Sequence, residues 1–160
     1  SMGDIIRQKS KEEGVPRVDD KIWDWAMEQR EDYGDDYFAH VTLEYISEME
    51  DEVVVVDGIR KIVEVEVFQS ASEFESILLF IYANEKDRFK WMMERSEERE
   101  EEANMSWERF KERTRREREF GSGQILEEEL YDVRIDNTET IEAFKDQLDA
   151  VLTEYRHLLR

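Results

Sequence analysis

The chain has 160 residues, of which 41% are charged and 39% hydrophobic, and its formal net charge is −20. This acid excess disfavours binding to nucleic acid or to anionic lipid, because both need a positive protein surface. There is no Cys, and two His residues are too few for a metal centre, so neither thiol chemistry nor a metal site is predicted. No apolar run approaches the roughly 20 residues of a membrane helix, so we expect a cytoplasmic protein without a membrane span.

Three helices are predicted in the first third of the chain. The first covers residues 1–13, with Asp4 as its cap, and the break Gly14-Val15-Pro16 ends it. The second begins at Asp19 or Asp20 and ends near Gly34. The third covers roughly residues 36–49.

Three strands are predicted, and the first is the most distinctive. Val53–Val56 is a run of four β-branched residues that ends in Asp57-Gly58, which is typical of a strand buried on both faces of a parallel sheet. Ile77–Ala83 and Tyr131–Asp136 are the second and third strands. Strands that alternate with helices predict an α/β fold with a mainly parallel sheet, whose ligands bind at the carboxyl ends of the strands.

Helices are also predicted between and after the strands. Residues 60–69 are ambiguous by period; a short helix is preferred, with an extended segment as the alternative. Further helices are expected over residues 85–95, 107–120, 124–129 and 140–158. Residues 94–103 are almost all charged, so we expect a solvated helix or a mobile arm there. We predict a single domain over residues 1–160 that contains a charged, arginine-rich segment over 94–120.

Two polar segments follow predicted strands. In Asp57-Gly58-Ile59-Arg60 the carboxylate can orient a hydroxyl or a Mg²⁺-bound water, Gly58 permits close backbone approach, and Arg60 can bind phosphate bidentately. The alternative is a turn with a surface ion pair. Asp136-Asn137-Thr138 follows the third strand, and its alternative role is a helix N-cap.

Cations are concentrated in the helix after Trp107. Six Lys and Arg residues lie between Arg109 and Arg118, and Arg109, Arg113 and Arg116 share one helix face. Such a face can neutralise a polyphosphate or a transferring phosphoryl group. The alternatives are a helix balanced by its own glutamates and, least favoured at net charge −20, a nucleic-acid contact. Arg88, one turn into the helix after the second strand, is a surface arginine if nothing else supports it.

Short motifs in this order resemble the archaeal P-loop kinase-like proteins related to dephospho-CoA kinase and the nucleoside monophosphate kinases. The resemblance is collinear over nearly the whole chain, and it implies a three-layer, P-loop-kinase-like parallel sheet with ATP or GTP and Mg²⁺ as cofactors. The matching segments are residues 1–7, Val55–Arg60, Ala83–Phe89, Trp107–Phe110, Glu112-Arg113, Arg116-Glu117, Phe120-Gly121 with Gly123, and Asp132–Ile135 with Asn137.

The resemblance also implies residue roles. Asp4 and Arg7 would bind the acceptor substrate, and Asp57 and Arg60 would face the phosphates. Arg113 and Arg116 would be lid arginines, and together with Asp57 they would form the catalytic set. Arg88 and Asn137 would bind the nucleotide.

The chain departs from this family in one decisive respect. It contains no G-x-x-x-x-G-K-[ST] segment, the loop that cradles the phosphates, and the family's first strand, loop helix and second strand are absent from it. Thr114 and Arg115 also occupy positions that are usually acidic. We therefore expect a phosphotransferase domain without its phosphate-binding loop, inactive as this chain. The alternative is a non-catalytic oligomerising or regulatory protein on a degenerate kinase fold.

The absent central strand would leave the Val53–Val56 and Ile77–Ala83 strands with open edges. Three outcomes are open: the two strands pair directly, a second copy fills the gap, or the chain is part of a longer protein. The expected partners are therefore a nucleotide or small phosphorylated substrate and further copies of the chain, which would form a homo-oligomer through open sheet edges.

Overall fold

A computed structural model describes residues 1–94 and 105–157. The chain divides into two compact units, Ser1–Ser76 and Ile77–Arg160, called unit 1 and unit 2 below, and each is described by itself. The single domain expected over residues 1–160 stays a prediction. Most of the charged run 94–103, the proposed solvated helix or arm, lies outside the described residues.

Unit 1 is built from four helices, all of which the sequence predicts. They are α1 (Met2–Glu12), α2 (Asp19–Tyr33), α3 (Tyr37–Ser47) and α4 (Ile62–Ser70). The helical interpretation of residues 60–69 is therefore confirmed over the extended one. The predicted cap of α1 is wrong, because the helix begins directly after Ser1 and Asp4 lies within its first turn.

The core of unit 1 lies where the first three helices and α4 meet. Phe38 is fully buried, with its ring 5.9 Å from that of Trp25 and 4.9 Å from that of Tyr37. Apolar residues spaced along each helix supply the remaining contacts. The buried members of the core are Met2, Trp25, Ala26, Phe38, Ala39 and Phe68.

The Val53–Val56 segment forms no strand, so this prediction is wrong. Val53 is 51% exposed and Val55 is 86% exposed, whereas Val54 and Val56 are half-buried and Val56 packs on the core. The period of two indicates an extended backbone, but a strand needs a ladder partner. The described part of unit 1 supplies only helices beside this segment, so one side packs inward and the other faces solvent.

Unit 2 contains the sheet and the remaining helices. Its elements are β1 (Leu79–Tyr82), α5 (Glu85–Glu94), α6 (Trp107–Glu117), a π-helical turn (Arg118–Ser122), α7 (Gly123–Glu127), β2 (Val133–Asp136) and α8 (Ile141–Glu154). The helix predicted to end at Phe120 ends as an α-helix at Glu117. The π-helical turn continues to Ser122, with Gly121 at φ 149°.

The sheet has two parallel strands, with Leu79 opposite Val133 and Tyr82 opposite Asp136. The α/β class is confirmed, although the chain is mostly helical and the sheet is smaller than predicted. The second predicted strand, Ile77–Ala83, is present as β1, although Leu79 and Ile81 are exposed. Leu79 and Ile81 lie on the same face of β1, so the described residues cover mainly its other face.

Helices α5 and α6 share an aromatic cluster. Phe89, Trp107 and Phe110 have ring centroids 5.2–5.5 Å apart, and Met92 and Met105 are buried beside them. Ser106 caps α6, because its Oγ accepts a hydrogen bond from Arg109 N at 3.2 Å. This cluster fixes α6, the helix that carries the arginines.

Truncation of Phe38 tests the core of unit 1. We expect Phe38→Ala to lower the free energy of unfolding by about 3–5 kcal/mol, because a fully buried ring is replaced by a cavity. Urea unfolding followed by circular dichroism measures this change. Phe74→Ala is the matched control, since that ring is 37% exposed and should cost clearly less. Equal losses for the two variants would contradict the placement of the core.

Candidate functional site

The turn after the valine segment lies on the amino end of α1. Met2 N donates a hydrogen bond to the backbone oxygen of Asp57 at 3.1 Å. Gly58 has φ +89°, and a Cβ there would lie 3.7 Å from both Gly3 N and Met2 Cβ. Gly58 is needed for its positive φ rather than for space, and the turn is held by backbone contacts.

Asp4 and Arg7 form an ion pair on the surface of α1, beside this turn. The amino end of a helix also carries partial positive charge. The first turns of α1 and the adjacent turn therefore combine the Arg7 guanidinium, the Asp4 and Asp57 carboxylates and the positive end of a helix.

The backbone of Arg60 is held in position by the side chain of Glu64. Its amide N donates to Glu64 Oε2 at 2.8 Å, and Lys61 N donates to the same oxygen at 3.1 Å. The other oxygen of Glu64 accepts from Arg30 Nη2 at 2.6 Å, and both side chains of this pair are buried. The structure thus brings Asp4, Arg7, Asp57 and Arg60 into one unit, with Arg60 held from beneath by a buried ion pair.

The sequence interpretation missed Arg30 and Glu64. A signal for Glu64 is present, because it lies four residues before Phe68 and hence on the buried face of α4. A carboxylate on an apolar helix face requires a buried partner. No local pattern identifies Arg30 as that partner, because it is 34 residues away in the sequence.

Two arginines of α6, Arg113 and Arg115, form ion pairs with carboxylates three or four residues away in the sequence. Arg113 Nε lies 3.3 Å from Glu117 Oε1. Arg115 contacts Glu112 and Glu119, each at 2.7 Å. The hydrogen bond from Arg115 and the charges of Arg115 and Arg116 lower the pKa of the Glu112 carboxyl.

These contacts place the expected lid arginines within a helix that balances much of its own charge. One alternative from the sequence was a helix whose cations are balanced by its own glutamates, and this holds for Arg113 and Arg115. Arg113 and Arg116 also make further contacts. Thr114, at a position expected to be acidic, is buried and faces the inside of unit 2.

Arg88 and Asn137, the expected nucleotide-binding residues, both belong to unit 2 and contact different residues there. The Arg88 guanidinium lies 5.5 Å from the centroid of the Phe110 ring, so it packs on the aromatic cluster. Asn137 N donates to the backbone oxygen of Tyr82 at 2.7 Å and so lies at the carboxyl end of the sheet, as the sequence predicts. Thr140, rather than Asn137, caps α8 through Ala143 N at 3.2 Å.

Other features of the described residues do not coincide with the expected site. A depression of about 460 Å³ on unit 1 lies between α3 and α4 and is bordered by Ala71 to Phe74, with none of the expected site residues in its lining. No group of three or more His, Cys, Asp or Glu residues suited to a metal ion occurs in the described ranges. Among these residues there is also no helix with the length and apolar character to cross a membrane.

Comparison with known proteins shows clear relatives in archaea. The chain is 33% identical over 156 residues to a UPF0200 protein of Methanocaldococcus jannaschii, covering 96% of this chain and 76% of that protein. It is also 33% identical over 153 residues to a UPF0200 protein of Thermoplasma acidophilum, covering 96% and 80%. A UPF0200 protein of Staphylothermus marinus is 34% identical over 142 residues, covering 89% and 71%. No family model matches the chain.

The Glu112–Arg115 contact predicts a local pH dependence. Because the pKa of Glu112 is lowered in the folded protein, the contact stabilises the fold above the unfolded pKa of Glu112, and this contribution is lost as the pH falls through the lowered pKa. We expect Arg115→Gln to raise the pKa of Glu112, measured by NMR titration of its side-chain carboxyl carbon. Lys111→Gln removes one cation from the same helix and should change this pKa much less; equal shifts would contradict the assigned contact.

Proposed function

The chain belongs to the UPF0200 family of archaeal proteins, and we propose that it is a nucleotide-kinase-like phosphotransferase domain, similar to dephospho-CoA kinase, without its phosphate-binding loop. The observation that carries the proposal is the packing of the Asp57–Gly58 turn on the first turn of α1. This packing joins two of the segments on which the resemblance rests, although they are more than 50 residues apart in the sequence. We further propose a three-layer kinase-like fold and a cytoplasmic location.

The residues at this end of unit 1 suit a small phosphorylated acceptor. Phosphoryl transfer depends on positioning and on neutralisation of charge rather than on covalent chemistry by the protein. In the proposed site Asp57 accepts a hydrogen bond from the acceptor hydroxyl, and Arg7 and Arg60 neutralise its phosphate. The amino end of α1 adds partial positive charge, and Asp4 orients Arg7 through their ion pair.

Unit 2 carries the residues that we assign to the nucleotide. Arg113 and Arg116 are the proposed lid cations, and Arg88 and Asn137 are the proposed contacts to the nucleotide. The proposed phosphoryl donor is ATP or GTP with Mg²⁺, and the metal ion would be bound together with the nucleotide phosphates. Because the chain has no Gly-Lys-Ser or Gly-Lys-Thr, we propose that it does not complete transfer by itself.

Binding of AMP, as a simple phosphate monoester, tests the acceptor site. We expect Arg60→Gln to weaken AMP binding by roughly tenfold or more, because a charge-assisted hydrogen bond contributes about 1.5–3 kcal/mol. Isothermal titration calorimetry measures the affinity. Arg17→Gln is the control, since that exposed arginine lies outside the proposed site. The same affinity in all three proteins, or no binding by the unsubstituted chain, would contradict the proposal.

Incubation with Mg²⁺-ATP or Mg²⁺-GTP tests the lack of transfer. We expect no release of ADP or GDP above the buffer background, with AMP or dephospho-CoA present as acceptor, in a coupled-enzyme assay. Turnover that is abolished by Arg113→Gln would show that the chain is active alone and would overturn the claim of inactivity. The Arg113→Gln variant, purified in parallel, is the control for contaminating kinases.

A second candidate function is that of a non-catalytic oligomerising protein. The exposed side of Val53–Val56 favours it, because those residues make no hydrogen bond within the described part of the chain and an extended apolar segment can pair with a strand of another copy.

Light scattering over a hundredfold range of protein concentration tests this second candidate. We expect the mass to rise with concentration, and Val55→Lys to prevent the rise, because a charge replaces the most exposed valine. Leu152→Lys changes an apolar residue on α8 that is 53% exposed, and it should have no effect. A monomer at every concentration would contradict this function without bearing on the phosphotransferase proposal.

A further inference from the structure

We propose that the buried Arg30–Glu64 pair positions Arg60 for phosphate, so that Glu64 is a positioning residue of the site; this inference rests on the proposed function. Neither residue belongs to the motifs that carry the family resemblance. Their burial and their contacts set them apart, since Glu64 is fully buried and Arg30 nearly so.

Glu64 divides its two oxygens between two tasks. Oε1 accepts a hydrogen bond from Arg30 Nη2 at 2.6 Å, which links α4 to α2. Oε2 accepts from the backbone N of Arg60 at 2.8 Å and of Lys61 at 3.1 Å. The carboxylate therefore fixes the direction of the backbone at the residue that the proposed function assigns to phosphate.

Arg30 is itself held in place, so the carboxylate has little freedom to move. Its guanidinium carbon lies 4.8 Å from the centroid of the Phe38 ring, the most buried ring of the core. A contact between α2, α3 and α4 is thus made through a single guanidinium. A shift of Glu64 would require movement of Arg30 against this packed ring.

The segment from Asp57 to Lys61 is fixed at both of its ends. At the first end the Asp57 oxygen accepts from Met2 N at 3.1 Å. At the second end Glu64 binds two backbone amides, and Lys61 Nζ lies 2.6 Å from Asp35 Oδ1. Ile59 packs on the core between these ends. The side chain of Arg60 is therefore attached to a backbone that is anchored on both sides.

Helix capping alone does not account for this arrangement. A capping side chain needs only an acceptor near solvent, as Ser106 and Thr140 provide elsewhere in the chain. A buried charge pair carries a desolvation penalty that an exposed cap avoids. In return, the buried pair makes the backbone at Arg60 rigid. A residue that binds phosphate at a defined position requires such rigidity.

Substitution of Glu64 by Gln tests the proposal with two measurements. The amide of Gln presents an NH₂ group either to Arg30 or to the two backbone amides, so one set of hydrogen bonds is lost. We expect faster hydrogen exchange at the amides of Arg60 and Lys61, and AMP binding weakened about tenfold in protein shown to be folded by circular dichroism. Glu66→Gln, on the exposed side of the same helix, should change neither measurement.

The double variant separates positioning from general stability. If Glu64 acts through Arg60, then Glu64→Gln should weaken AMP binding no further once Arg60→Gln is present. Wild-type AMP affinity in folded Glu64→Gln, or losses that simply add in the double variant, would overturn the proposal. Where Glu64→Gln does not fold, Arg30→Lys replaces it, because Lys keeps the charge but lacks the planar fork, and the same loss of affinity is expected.

The two proposals fail in different ways. If the unsubstituted chain does not bind AMP, the proposed acceptor site is wrong, and hydrogen exchange alone decides whether Glu64 positions the backbone of Arg60. If the chain binds AMP but exchange at Arg60 and Lys61 is unchanged in Glu64→Gln, the proposed function stands and the positioning role is wrong.

Discussion

The buried ion pair between Arg30 and Glu64 is the interaction on which unit 1 depends. It is the point where α2, α3 and α4 are joined by polar contacts, at 2.6 Å between the charged groups and 4.8 Å from the arginine to the Phe38 ring. Loss of one partner would leave an uncompensated charge in the core, at a cost of about 3–5 kcal/mol. The apolar core packs the helices and holds Val56 and Ile59, and Glu64 adds the hydrogen bonds that fix the backbone of Arg60 and Lys61.

That segment connects the core to the end of α1. Glu64 holds its last residues, and Met2 holds the backbone of Asp57. Met2 is also a buried member of the core, so the amino end of α1 and the Asp57–Gly58 turn are fixed by the same packing. Packing, a buried charge and two backbone contacts thus together set the geometry of the proposed acceptor site.

Unit 2 is organised by aromatic packing instead. Phe89, Trp107 and Phe110 hold α5 against α6, and the short parallel sheet ends at Asp136 and Asn137. Arg113 and Arg115 of α6 form ion pairs with Glu117 and Glu112 of the same helix, which offset part of its positive charge. Such i,i+3 and i,i+4 pairs are weak individually, and a phosphate could compete with them for the guanidinium groups.

The sequence by itself determined the helices, the location of two of the strands and the α/β class, because these follow from the local periodicity and capping of contiguous residues. It also placed Asp57, Gly58 and Asn137 at the ends of extended segments. The tertiary structure alone decided the state of Val53–Val56, because a valine run becomes a strand only where another strand supplies its hydrogen bonds. It alone revealed the Arg30–Glu64 pair, because no local pattern shows which cation will meet a buried carboxylate 34 residues away.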